Sequence, residues 1–115
     1  MMFAILLAAS TQPTIPVVMR GSWDLPGKCE TSAESSDTRL IIRREDLVFV
    51  ELVFTPARIL VAEPTNWTAT GEFEESGERS QGRLNLRMSK DGRILAYTNT
   101  AGEQVRLIRC RKQAT

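Results

Sequence analysis

Beyond Asp37 the chain alternates short runs of apolar and polar positions with turn residues. It predicts strands at Thr38 to Arg43, Leu47 to Phe54, Ala57 to Ala62, Asn66 to Glu75, Arg79 to Ser89, Arg93 to Asn99 and Gln104 to Cys110. The segment Arg44 to Val53 competes as a helix, but its Val and Phe content favours strand. The spacing predicts an all-β fold, an antiparallel meander of about seven to eight strands forming a small barrel or sandwich.

Turn chemistry converts this pattern into registers. Asp91-Gly92 predicts a two-residue hairpin loop with positive φ at both positions, placing Met88 opposite Leu95 and Leu86 opposite Tyr97. Ser76-Gly77 predicts a second hairpin with Glu74 opposite Arg79, Ala69 opposite Leu84 and Trp67 opposite Leu86. Both turns assign Leu84, Leu86 and Met88 to one inner face, with opposite charges meeting on the outer face, as cross-strand energetics prefer. A third turn at Ala101-Gly102 predicts Leu95 opposite Ile108 and Tyr97 opposite Arg106. That register leaves Ile94, Ala96, Val105 and Leu107 on the far face, too apolar for water, so Ile15 to Met19 is expected to cover it, unless a partner does or a bulge shifts the register.

Ahead of these strands, Phe3 to Ala9 is an apolar run ending in Ala8 and Ser10 at small-x-small spacing, which reads as a signal segment over 1–10. It is too short to span a bilayer as a helix, and no cysteine follows it to carry a lipid. Residues 11–20, with Pro13 and Pro16, read as an extended arm, and 21–115 as a single β domain. Glu30 to Asp37 reads as a solvated loop. Cys29 and Cys110, far apart and without a C-x-x-C pair, predict a structural disulfide. Such a bond would close nearly the whole domain, contributing about 4 kcal/mol by chain entropy. Export and disulfide agree on a periplasmic or secreted location.

Composition then narrows the chemistry. The 115 residues contain no histidine, which removes the usual base of serine and cysteine hydrolases and a common zinc ligand. Fifteen Lys plus Arg against fourteen Asp plus Glu are interleaved along the chain, so no nucleic-acid footprint is expected. No metal or cofactor is expected, nor a stable membrane span. Glu72, Glu74, Glu75 and Glu78 lack the Asp/Asn/Gly spacing of a calcium loop and read as a solvated tip. Asn66-Trp67-Thr68 fits the short glycosylation pattern but is given no role.

Glu51, inside a run apolar on both faces, is expected to be partly desolvated. With Trp67 and Tyr97 it is a candidate contact for a protein or small apolar ligand, and with Glu63 or Asp46 it would be the basis of a carboxylate-only enzyme.

Gly21-x-Trp23, Asp91-Gly92-Arg93-Ile94-Leu95 and the terminal Arg109-Cys110 resemble a group of short exported proteins of Gram-negative bacteria, which implies export without a particular activity. Gly21-Ser22-Trp23 also resembles the opening of lipocalin-like barrels and of bacterial inhibitors of secreted alkaline metalloproteases. Those inhibitors imply an N-terminal arm, here Thr11 to Met19, that enters a protease cleft, although their second cysteine is not at the far C-terminus as Cys110 is. The function expected is non-catalytic binding, with hydrolase inhibition as the alternative.

Overall fold

In a computed structural model, described for residues 12–99 and 101–110, eight antiparallel strands close a meander barrel in chain order. The strands are β1 (Gly21–Asp24), β2 (Leu40–Ile42), β3 (Leu47–Val48), β4 (Val53–Glu63), β5 (Asn66–Glu75), β6 (Glu78–Met88), β7 (Ile94–Thr98) and β8 (Gln104–Arg109). Closure is completed where β8 pairs with β1, Arg109 against Trp23 and Ile108 against Asp24. The expected signal segment lies outside the described residues.

The Ser76-Gly77 hairpin has the expected register, and both turn residues take positive φ, 53° and 83°. At Asp91-Gly92 the register Met88 to Leu95 also holds, but only Gly92 has positive φ. The loop is longer than two residues because Ser89 organises it. Its backbone N–H donates to the Ile94 carbonyl, its carbonyl accepts from Gly92, and its hydroxyl accepts from the Ile94 N–H at 3.0 Å.

The third hairpin corrects the sequence expectation by one residue. Leu95 faces Leu107 and Tyr97 faces Val105, where Ile108 and Arg106 were expected. The side-chain carbonyl of Asn99 accepts the N–H groups of Ala101 and Glu103, lengthening the turn beyond Ala101-Gly102. A one-residue slip exchanges faces, so Val105 and Leu107 turn inward and Arg106 outward. The apolar outer face that needed cover is thereby reduced to Ile94, Ala96 and Ile108, interrupted by Arg106, and the arm is spent elsewhere.

Two further expectations change within the first half of the barrel. Leu47 to Phe54 is two strands, because Phe49 donates to the Leu52 carbonyl at 2.7 Å and the chain reverses at Val50-Glu51, without Gly, Pro or Asn to announce it. Ala57 to Ala62 belongs to the longer β4, whose pairing with β5 shifts between Pro56 and Arg58 and again between Ile59 and Val61. Proline cannot donate to a ladder, but β3 pairs only with Val53 and Phe54, so Pro56 lies past the end of that ladder.

Inward positions of the strands supply the core: Trp23, Leu40, Leu47, Phe54, Trp67, Ala69, Leu84, Leu86, Leu95 and Leu107 are all buried. In an antiparallel meander the turns β2–β3, β4–β5 and β6–β7 share one end of the barrel, and β3–β4, β5–β6 and β7–β8 share the other. The arm is not extended throughout; Val17–Met19 forms one turn of 3-10 helix, and Ile15 and Met19 are fully buried in the core. The Ile15 N–H donates to the Arg44 carbonyl in the β2–β3 turn, which places the arm across the first of those ends.

Candidate functional site

That closed end is built around Trp23. Its indole N–H donates to the Met19 carbonyl at 2.9 Å, holding the arm beneath the barrel. The Arg109 guanidinium lies 4.2 Å from the ring centroid and donates to the carbonyls of Val18, Arg20 and Gly92, at 2.6, 3.0 and 3.0 Å. One side chain thus joins the arm, β1, β8 and the β6–β7 turn. Ile15, ahead of the arm's helical turn, and Met19, its last residue, are committed to the core, whereas Val17 and Val18 are exposed.

Outside β1 the loop 25–39 is not simply solvated. Asp24 and Arg39 form a buried ion pair at 2.8 Å; Ser36 and Thr38 also donate to Asp24, and Arg39 donates to the carbonyls of Lys28 and Thr31. Burial would raise the Asp24 carboxyl, but the hydrogen bonds from Ser36, Thr38, Arg39 and the Leu25 N–H outweigh it and hold the pKa down at about 2. The expected disulfide is present: Cys29 and Cys110 are joined, with Cα atoms 5.2 Å apart, fastening this loop to the end of β8. The bond fits an oxidising, extracellular type of compartment.

At the opposite end the barrel opens. A cavity of about 290 Å³ is lined by Phe49, Leu52, Phe73, Leu84, Tyr97 and Asn99, together with parts of Gly82, Arg83 and Thr98. Phe49 and Leu52 are the two ends of the unannounced β3–β4 turn. Phe49 meets Tyr97 edge-on at 5.2 Å between ring centroids, and Phe73 tilts against Phe54 at 4.6 Å. Phe73 lies over Gly82, where a Cβ would come within 2.7 Å of its ring, so glycine is required for the ring to lie flat across the hairpin. Tyr97 is half-buried, and loss of solvent pushes its phenol above the usual value, keeping it neutral.

Of the residues singled out from the sequence, only Tyr97 reaches this cavity. Trp67 is fully buried one cross-strand layer deeper, paired with Leu86 while Ala69 pairs with Leu84, and is not part of the lining. Its indole N–H has no hydrogen-bond partner among the described residues. Glu51 is exposed at the β3–β4 turn, so the expectation of a partly desolvated carboxylate is overturned: the turn that splits the apolar run carries it into water. Asp46 is bound to Arg43 at 2.7 Å in the β2–β3 turn, at the other end of β3, and Glu63 ends β4, so the carboxylates do not converge. Among the described residues no group of three or more metal-ligating side chains is assembled, and no helix is long and apolar enough to cross a membrane, which leaves membrane barrels unaddressed.

No family model, curated protein or solved structure matches the chain.

Proposed function

We propose that the protein is an exported, lipocalin-like, non-catalytic carrier that holds a small apolar ligand in the open end of its barrel. The observation that carries this reading is the aromatic cavity itself, since an apolar concavity with a few polar groups is where small ligands bind. At about 290 Å³ it lies at the lower edge of the ~300–1,000 Å³ usual for ligand pockets, so the ligand is small. The lower half of the barrel is filled by Trp23, Trp67, Leu86, Leu95 and Leu107, which confines the ligand to the mouth. The disulfide supports export, and a closed meander opening with Gly21-Ser22-Trp23 supports the lipocalin-like reading.

A neutral environment-sensitive dye such as Nile red should bind saturably, with blue-shifted emission, and Leu52→Asp should remove most of that signal by placing a charge in the lining. Absence of saturable binding by the wild-type protein, together with native mass spectra showing the bare chain alone, would overturn the reading.

A further inference from the structure

Strand β6 outruns the strand laid beside it. β5 pairs with β6 from Glu78 to Arg87 without a bulge, whereas β7 pairs with it only at Leu86, Arg87 and Met88. Ser89, just past the end of β6, turns its backbone towards β7 and donates to the Ile94 carbonyl. Backbone direction alternates along a strand, so the N–H and C=O groups of Arg79, Gln81 and Arg83 point to that same side, beyond the end of β7. Among the described residues no strand or turn pairs with them there. An unpaired edge of this kind is a template for one more strand.

The same alternation sets what an added strand meets. Gly82 and Leu84 are inward positions in the wall of the aromatic cavity. Ser80, the next inward position, lines a smaller concavity of about 160 Å³ with Glu75 and Glu78 at its rim, and Leu52 and Phe73 wall both hollows. Gly82 and Ser80 are about 7 Å apart along the strand, the spacing of side chains i and i+2 on a facing strand. Between and beyond them Arg79 and Arg83 are exposed on the outer face. Arg83 is in no ion pair among the described residues, and Arg79 only approaches Glu72 at 3.9 Å. Opposite charges are the favoured neighbours of such positions across a strand pair.

We propose that the open end binds an extended peptide segment as an additional strand antiparallel to the free edge of β6. An apolar side chain opposite Gly82 enters the aromatic cavity, a smaller one opposite Ser80 enters the second hollow, and acidic residues face Arg79 and Arg83. Backbone hydrogen bonds to Arg79, Gln81 and Arg83 supply the affinity, and the two hollows with the two arginines supply the choice of sequence. A second copy of this edge is a poorer occupant, because pairing two edges about Gln81 sets Arg79 against Arg83.

This inference rests on the cavity reading and deepens it, by making the small apolar group a side chain of a peptide. Fluorescence anisotropy of the full chain with labelled acetyl-Thr-Glu-Leu-Thr-Val-Glu-Thr-amide tests it, with leucine placed for Gly82, valine for Ser80 and the glutamates for Arg83 and Arg79. Exchanging both glutamates for lysine should weaken binding roughly tenfold, from exposed pairs worth up to about a factor of five each. N-methylation of the central threonine, whose N–H faces β6, should cost about tenfold, whereas N-methylation of the leucine, whose N–H faces away, should be tolerated. Arg83→Glu should bring the acidic and lysine peptides to equal affinity. Absence of peptide binding while Nile red still binds, equal affinity of the two peptides for the wild-type protein, or tolerance of methylation at the central threonine would overturn the inference and leave the cavity reading standing. Concentration-dependent dimers that exclude the peptide in sedimentation would assign the edge to a second copy and overturn it as well. Failure of dye and peptide alike would remove both.

Discussion

The two ends of this barrel use aromatic residues in opposite ways. At the closed end Trp23 is fully buried, its indole N–H is satisfied by Met19, and its ring face is covered by Arg109. At the open end Phe49, Phe73 and Tyr97 are only partly buried and leave a cavity between them. The difference follows from what each end is given to close it. The arm delivers Ile15 and Met19 to the first, and the last strand delivers Arg109 with three backbone hydrogen bonds. Among the described residues the second receives only connections between strands, and its longest hairpin ends in exposed carboxylates. Stability is thereby concentrated at one end and room for a ligand at the other.

The largest expected effect is at the closed end. Trp23→Ala should cost about 3–5 kcal/mol, because it removes a fully buried ring and leaves a cavity that the arm and Arg109 cannot both follow. Phe49→Ala at the open end should cost about 1–2 kcal/mol, from its edge contact with Tyr97 and its partial burial. Urea denaturation of the two variants measures the contrast, and equal losses would break it.

Next in size is the disulfide. Replacing Cys29 and Cys110 together by Ser should lower stability by about 4 kcal/mol, since the bond spans a sequence separation of 81 residues. The effect should appear as a lower denaturation midpoint in the variant, and as a matching shift when the wild-type protein is reduced.

The smallest expected effect concerns pH. The Asp24 carboxyl is held at about 2 in the folded state against its ordinary value of 3.8, so its contribution is present above about pH 4 and lost as pH falls towards 2. The loss amounts to about 2 kcal/mol at the acid limit. Asp24→Asn should lower stability at pH 7 and flatten the acid limb of the stability profile; an unchanged limb would mean that other carboxylates control acid unfolding.

The architecture was readable because two hairpins announce themselves. Ser76-Gly77 is followed by a long, regular pairing in which every inward position is apolar or small until the tip, so register and faces follow from local chemistry. The third hairpin departs by one residue from the register that the Ala-Gly pair predicts because its turn is set by the Asn99 side chain, which caps Ala101 and Glu103. The candidate site was harder. Tyr97 was identified through its pairing with Leu86, but Phe49 and Leu52 were hidden in an apolar run that bends at Val50-Glu51 with no turn residue. Glu75 and Glu78 were read as part of a solvated tip, and only the register, carried to the end of the hairpin, puts them above Phe73. The same is true of Asp24 and Arg39, separated by a polar loop whose composition conceals a buried network.

By itself the chain determined its strands, two of its three clearest registers and the pairing of its cysteines, because these depend on alternation of period two, on residues that adopt positive φ, and on there being only two thiols. Which residues fill the barrel and which leave it hollow was decided by the tertiary structure. Closure brings β8 against β1 and sets Arg109 over Trp23, 86 positions away in sequence, while among the described residues no strand or helical turn covers the other mouth. Burial of that kind depends on distances between strand ends, which local pattern does not encode.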